Sequence, residues 1–220
     1  MFGTLWNRIF GTRATTTEPQ KDIPAYDPVE ALRVQVRRDV VGGFYDEDAI
    51  LTNAHDVFEE ELPMPVLRRE ASASLRVAMA EHRAAEQGWT HATDCDRLDA
   101  AFVALEAEGV IARQNFTCCG TCGASEIWDE IEAAQKAGEP ADGYAFFHMQ
   151  DTESAIEGHG LCLNYGACEE GDEAAIAIGQ RIVDQLEAHG LAVDWDGSLG
   201  QRIGIALDWK KRRSVVAMEG

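Results

Sequence analysis

The spacing of apolar residues changes once along this chain, near residue 110, and that change is the strongest constraint on its fold. Before it, apolar residues recur every three or four positions, which is typical of helices that bury one face. After it, short strand-like runs separated by glycines alternate with helical stretches. We therefore expect an α+β fold, with a helical N-terminal part packed on a C-terminal sheet.

Four helices are predicted between residues 28 and 109. Asp27 is a suitable N-cap for the first of them, with a proline directly after it. The later helices are expected to end near Pro63, Gly88 and Gly109, because proline and glycine interrupt helices. These signals predict a helical region over residues 28–109.

An α+β sandwich is predicted over residues 110–213. Its element order is β-α-β-β-α-β-β, and the first six elements match the ferredoxin-like, split β-α-β arrangement. The seventh adds an extra C-terminal hairpin strand, in which residues 202–209 pair with residues 191–195. In a ferredoxin-like sheet the third strand lies between the first two and is antiparallel to both.

The two ends of the chain are expected to lie outside these regions. Residues 1–27 are predicted to form an amphipathic segment with a linker, and residues 214–220 a tail. The apolar residues of the first segment fall on one helical face: Phe2, Leu5, Trp6, Ile9 and Phe10. Such a stripe can touch a membrane surface or a partner protein. It can equally be a simple docking segment, since so short a helix is marginal alone.

Acidic residues outnumber basic ones, 39 Asp and Glu against 19 Lys and Arg, which gives a formal charge of −20 at pH 7. This charge argues against nucleic-acid binding, because phosphates attract Lys and Arg, but it leaves a basic protein partner open. The sequence has no apolar run of the length that spans a bilayer and no signal-peptide pattern. A cytoplasmic, reducing location is the expectation that follows.

Three of the six cysteines, Cys118, Cys119 and Cys122, fall within five residues where a strand-like run gives way to a helix-like one. In a reducing compartment, clustered cysteines more often hold a metal or carry redox chemistry than form structural disulfides. The spacing between Cys119 and Cys122 lets both sulfurs reach one ion. This cysteine turn therefore predicts a metal site, with zinc as the expected ion.

The predicted topology places further ligands at the same edge of the sheet. His148 lies near the end of the second predicted strand, residues 143–150, and Asp151 follows it, whereas His159 and Cys162 lie at the start of the third. Imidazole and thiolate both bind zinc in tetrahedral sites. The predicted metal ligands are therefore the cysteines of the turn together with groups from these strands: Cys118, Cys119, Cys122, His148, His159 and Cys162.

Other uses of the same residues stay open. A strand followed by Cys-Gly-Thr-Cys and a helix is also typical of thiol redox proteins, in which the helix N-terminus lowers the pKa of the first thiol. A cysteine nucleophile activated by His148 and oriented by Asp151 would instead support catalysis. Free cysteines also often pack in protein cores without any chemical role.

Four short motifs stand out after residue 110. They occupy residues 115–123 (NFTCCGTCG), 147–153 (FHMQDTE), 165–167 (YGA) and 195–197 (WDG). Together they resemble an uncharacterised bacterial domain family that is labelled only as a domain of unknown function, over about residues 28–213. The resemblance implies a soluble bacterial protein in which these motifs are the places to look for function. It implies no particular activity, cofactor or catalytic residue.

The sequence thus predicts a cytoplasmic accessory or regulatory protein whose Cys/His edge binds zinc in a structural or sensing role. Two alternatives remain. An acidic protein-binding module, of the inhibitor or immunity type, would use the high negative charge to cover a basic partner. An enzyme with a cysteine nucleophile or thiol redox activity would use the cysteine turn itself.

Overall fold

The computed structural model of the protein describes residues 26–213, over which the chain forms seven α-helices and a five-stranded sheet. The helices are α1 (Pro28–Gly42), α2 (Glu47–Phe58), α3 (Met64–Glu86), α4 (Asp94–Ala107), α5 (Gly120–Ala137), α6 (Met149–Ile156) and α7 (Asp172–Ala188). The strands are β1 (Val110–Arg113), β2 (Gly143–Phe146), β3 (Leu161–Ala167), β4 (Ala192–Asp194) and β5 (Ile203–Ala206). The predicted α+β class is confirmed. The predicted N-terminal stripe and C-terminal tail lie outside the described residues.

The sheet runs in the order β1-β2-β3-β5-β4. β1 and β2 pair in parallel, whereas every other neighbouring pair is antiparallel, including the C-terminal β4–β5 pair. This order differs from the predicted ferredoxin-like order, in which β3 would separate β1 from β2. Instead, β1 and β2 pair directly in parallel, and the helix that connects them, α5, packs its buried face on both strands.

Helix starts follow the capping signals of the sequence. Asp27 and Asp46 each accept a hydrogen bond from a backbone N–H in the first turn of α1 and α2, at 2.9 and 2.8 Å. Thr93 and Asp96 form a reciprocal capping box at the start of α4. At the other end of α1, Gly43 adopts φ 78°, a left-handed conformation that glycine enters without steric cost.

Two of the three hydrophobic clusters hold all the helices except α5. The first is formed by α1, α2 and α3, and its buried side chains include Leu32, Val36, Val40, Ile50, Phe58, Leu67 and Leu75. The second joins α4, α6 and α7 to one face of the sheet, and includes Leu98, Phe102, Leu105, Phe147, Leu161, Leu163 and Ile182. Burying each such side chain contributes roughly 1.5–3 kcal/mol relative to exposure. The helix α4 therefore shares its core with the sheet rather than with α1–α3.

The opposite face of the sheet is covered by α5 over β1 and β2. Ile127 and Ile131 of α5 are buried there against Ile111 and Phe146. On β3 the alternation of the strand leaves Cys162 exposed between two buried leucines. The N-terminus of α5 consequently lies at the edge where β1 and β2 end.

The basic residues that follow β5, at positions 210–213, lie between the first and the second hydrophobic cluster. Arg213 donates one hydrogen bond to the Val40 carbonyl at 3.0 Å and another to the Tyr45 carbonyl. Trp209 Nε1 donates to the Val41 carbonyl at 3.1 Å. These contacts place the last described residues against the C-terminal end of α1. The side chains of these basic residues are therefore engaged in contacts within the molecule.

Gly143 approaches β3 so closely that it leaves no room for a side chain. A β-carbon added to it would lie 2.5 Å from the backbone oxygen of Gly166 and 2.7 Å from Ile178. Because the backbone of a central strand cannot move aside cheaply, Gly143→Ala must displace β2 from β3. We expect the free energy of unfolding to fall by about 1–3 kcal/mol, as measured by urea denaturation.

Gly88→Ala is the matched control for this prediction. Its β-carbon would meet nothing closer than 3.6 Å. We expect its free energy of unfolding to stay within about 0.5 kcal/mol of the parent protein. Equal stability of the two variants would contradict the close packing of Gly143 against β3.

Candidate functional site

The cysteine turn lies beside the start of α6 because the segments that follow β1 and β2 remain hydrogen-bonded to each other beyond the sheet. Two backbone hydrogen bonds, at 2.8 and 3.2 Å, join residues 116–117 to residues 147–149. They extend the parallel β1–β2 pair to the point where α5 and α6 begin. His148 is therefore held next to the first turn of α5, where a β-carbon added to Gly120 would lie 3.5 Å from its Nε2.

Two residues ahead of the cysteines adopt left-handed backbone conformations, Asn115 with φ 50° and Thr117 with φ 60°. Asparagine tolerates this region, but a β-branched residue rarely enters it. The Thr117 hydroxyl donates to the Cys119 carbonyl at 3.1 Å, and Asn115 Nδ2 donates to the Tyr45 hydroxyl at 3.1 Å. Strain of this kind costs roughly 1–3 kcal/mol and tends to occur at functional sites.

The three cysteines of the turn bring their sulfur atoms together. All three Sγ atoms lie within 4.8 Å of one another, and those of Cys118 and Cys122 are 3.5 Å apart. A tetrahedral ion with zinc–sulfur bonds of about 2.3 Å holds its sulfurs roughly 3.8 Å apart. Cys118 is exposed and the other two are half-buried. The cluster therefore has the spacing and the access that a transition-metal ion requires.

The start of α5 shifts the pKa values of Cys119 and Cys122 in opposite directions. The backbone N–H of Cys122 is the main group that lowers the pKa of Cys119, followed by the Cys122 thiol and the N–H of Thr121. Hydrogen bonding to the thiols of Cys118 and Cys119 raises the pKa of Cys122 to about 11. Cys119 occupies the N-cap position of α5, where backbone N–H groups favour negative charge. The first thiolate of the cluster is consequently expected at Cys119.

His148 and Asp151 form a capping box at the start of α6. The Asp151 N–H donates to His148 Nδ1 at 3.3 Å, and the His148 N–H donates to Asp151 Oδ2 at 3.1 Å. Both side chains are buried, and His148 Nε2 lies 3.1 Å from the same carboxylate oxygen. The cap thus locks the imidazole ring in one orientation beside the cysteine turn.

Arg202 connects this cap to the third strand. Its guanidinium donates to both oxygens of Asp151, at 3.0 and 2.7 Å, and to the Cys162 carbonyl at 2.6 Å. Burial is the main cause that lowers the pKa of His148; Asp151 opposes this shift and the Arg202 charge adds to it. The imidazole is therefore held in its neutral form at neutral pH.

Spare hydrogen-bond donors remain at the same edge. Among the described residues, the buried Nδ2 of Asn164 and Nε of Arg202 have no hydrogen-bond partner. Asn164 lies close to the turn, since its Oδ1 is 4.0 Å from the β-carbon position of Gly120. Unpartnered buried donors of this kind are uncommon in folded proteins. They give the edge a capacity to hold an anionic or polar group.

The structure brings together some of the predicted ligands and separates others. The cysteines of the turn form one cluster, and His148 lies beside its first helical turn. The His159 side chain is 70% exposed and lies 3.8 Å from Glu157. Cys162 is exposed on β3 and is not among the cysteines of the cluster. The full set of six ligands stays a prediction.

Two residues of this edge were missed by the sequence analysis. Arg202 contacts Asp151 across 51 positions of the chain, and Asn164 reaches the turn only because β3 pairs with β2. Neither residue stands in a local pattern that indicates a site. Only the pairing of distant strands brings them there: the antiparallel β2–β3 pair was predicted, but the pairing of β5 with β3 was not.

Comparison with known families gives one match. A family model described as a domain of unknown function, DUF6891, matches residues 26–213. Comparisons with curated proteins and with solved structures returned no match. Within residues 26–213, no helix has both the length and the apolar character needed to cross a bilayer.

The pKa of His148 offers a test of the cap. Because the Arg202 charge lowers this pKa and the Asp151 charge raises it, we expect Arg202→Gln to raise it and Asp151→Asn to lower it. NMR titration of the imidazole protons measures both shifts. Arg181→Gln, which removes a cation that pairs with Asp142 instead, should leave the pKa unchanged. An unchanged pKa in Arg202→Gln would show that the bidentate pair does not act on His148.

Proposed function

The chain belongs to the DUF6891 family, whose function is unknown, and we propose that its cysteine turn holds a transition-metal ion, with zinc as the best match. The observation that carries this proposal is the clustering of the Cys118, Cys119 and Cys122 sulfurs within 4.8 Å. Thiolates select zinc and other soft metals over magnesium or calcium. The bound ion would replace the proton that the cluster holds on Cys122.

We propose that the fourth coordination position is open to an exchangeable ligand. Nδ1 of His148 accepts the Asp151 N–H, so the neutral ring carries its proton on Nε2, which lies 3.1 Å from an Asp151 carboxylate oxygen and beside Gly120. A protonated nitrogen that faces a carboxylate cannot bind a metal, so His148 leaves the fourth position to another group. Structural zinc sites are closed, whereas sites that act on a ligand keep a position open. We therefore propose a role in which the ion meets an exchangeable ligand rather than a purely structural one.

Metal content tests this proposal directly. We expect elemental mass spectrometry to find one zinc per chain in protein purified without a chelating tag. Cys119→Ser or Cys122→Ser should remove the metal, because two thiolates hold zinc far less tightly than three. Cys168→Ser, at a half-buried cysteine outside the cluster, is the matched control and should keep it. If the parent protein stays metal-free after incubation with zinc and dialysis, the proposal is wrong.

The remaining predicted ligands are tested by the same measurement. We expect His148→Gln, His159→Gln and Cys162→Ser each to retain the metal. Cobalt substitution adds a coordination readout, since its visible absorption reports the number of thiolate ligands. Loss of metal in any one of these variants would identify that residue as the fourth ligand and close the position proposed to be open.

Thiol chemistry is a second candidate, favoured by the lowered pKa of Cys119 at the N-terminus of α5. A thiolate at neutral pH is a nucleophile as well as a metal ligand. His148 adds a neutral imidazole near the same helix turn. In this alternative the metal-free cluster would be the active form.

Alkylation rates separate the candidates. In metal-free protein, iodoacetamide should modify Cys119 faster than the exposed thiols of Cys118 and Cys162, because the thiolate is the reacting form. Peptide mass spectrometry over a time course measures each rate. Added zinc should slow only the cysteines of the cluster. Uniformly slow modification of all three thiols would remove the thiol candidate and leave the metal proposal untouched.

A further inference from the structure

A cavity of about 290 Å³ lies between the N-terminal helices and α6, and Asn115 lines it. Its walls come from α1, α2, α6 and the loop that follows α1. Small-molecule sites generally begin near 300 Å³ and combine apolar walls with a few polar groups. This volume suits a ligand with one ring or a short chain.

One wall of the cavity carries a buried carboxylate without a cationic partner in hydrogen-bond contact. Asp39 is only 7% exposed. It accepts hydrogen bonds from the neutral amides of Gln35 and Asn53, at 2.9 and 3.4 Å. The neighbouring guanidinium of Arg38 pairs instead with Glu153 at 2.9 Å. Asp39 therefore receives its hydrogen bonds from neutral amides, while the charges of Arg38 and Arg213 act on it without a hydrogen bond.

Burial of this carboxylate has an energetic consequence. Desolvation is the main cause that raises the pKa of Asp39; the amides of Asn53 and Gln35 and the charge of Arg38 only partly offset it, and Glu153 adds to it. A buried charge costs free energy unless an opposite charge accompanies it. A cation placed in the cavity would remove that cost, whereas a second anion would increase it.

The rest of the lining adds polar capacity and an apolar mouth. The Tyr45 hydroxyl accepts a hydrogen bond from Asn115, which leaves its own proton free to donate. Val57 is 55% exposed and Met149 is 37% exposed, and both line the cavity. Exposed apolar side chains at a concave site are typical of ligand-binding surfaces. An apolar ligand body would cover them.

From the cavity, its buried carboxylate and its apolar mouth, we propose that this site binds a small molecule that carries a protonated amine on an apolar body. The charges along the lining agree, since Asp39, Asp56 and Glu153 outnumber the single cation of Arg38. This inference goes beyond the proposed metal function and does not depend on it. If either proposal is disproved, the other is unaffected.

Phenethylamine is a suitable probe, and 2-phenylethanol is its neutral counterpart. We expect the full chain at pH 7 to bind the amine, and to bind the alcohol at least about tenfold more weakly, since a charge-assisted hydrogen bond contributes a factor of that order. Saturation-transfer NMR and calorimetric titration measure both. Absence of amine binding at millimolar concentration, or equal binding of the alcohol, would overturn the proposal.

Two variants locate the binding. Asp39→Asn keeps the shape of the side chain and removes its charge, so amine binding should weaken about tenfold or more. Asp129→Asn on α5, where the aspartate makes no ion pair among the described residues, is its control. Val57→Lys places a competing cation at the mouth without disturbing the core, since Val57 is exposed. Val103→Lys, at a valine that is 70% exposed on α4, is the second control. Unchanged binding in both cavity variants would show that the amine binds elsewhere.

Discussion

The structure depends on the half-buried guanidinium of Arg213, which holds the end of α1 against the segment that follows β5. Its two carbonyl acceptors, Val40 and Tyr45, flank the turn at which α1 ends. Carbonyls at a helix end have no partner within the helix, so an external donor is valuable there. Burial lowers the pKa of Arg213, yet arginine remains charged throughout the physiological range. The contact therefore persists wherever the protein is folded.

This contact also sets the relation between the two candidate sites. It orients Tyr45, whose hydroxyl accepts from Asn115. Asn115 in turn accepts a hydrogen bond from Thr152 of α6 at 2.8 Å. The cavity and the cysteine turn thus share one loop, since Asn115 lines the cavity and, like Thr117 next to the cysteines, has a left-handed backbone conformation. A ligand in the cavity and an ion at the cysteines would act on the same backbone.

The parts of the fold that sequence could predict are those with local causes. Periodicity and capping residues gave α1 to α4, because a helix is determined by neighbours along the chain. The cluster of Cys118, Cys119 and Cys122 also followed from close spacing. The strand order could not be predicted in this way, because β1 could have paired with β2 or β3 on local grounds alone. The helix α6 was missed altogether, because its first residues were predicted as the end of the second strand and histidine is not among the usual N-cap residues. The cytoplasmic location and the basic partner stay predictions.

The contacts of Arg213 have a consequence for how the chain is made. The contacts join residues that are 173 and 168 positions apart in the sequence. A ribosome adds about 5–20 residues per second, so it needs roughly ten to thirty seconds to synthesise a stretch of that length. The first three helices can fold locally in far less time. During synthesis the residues of α1–α3 therefore exist for several seconds before the segment that Arg213 brings against α1 has been made.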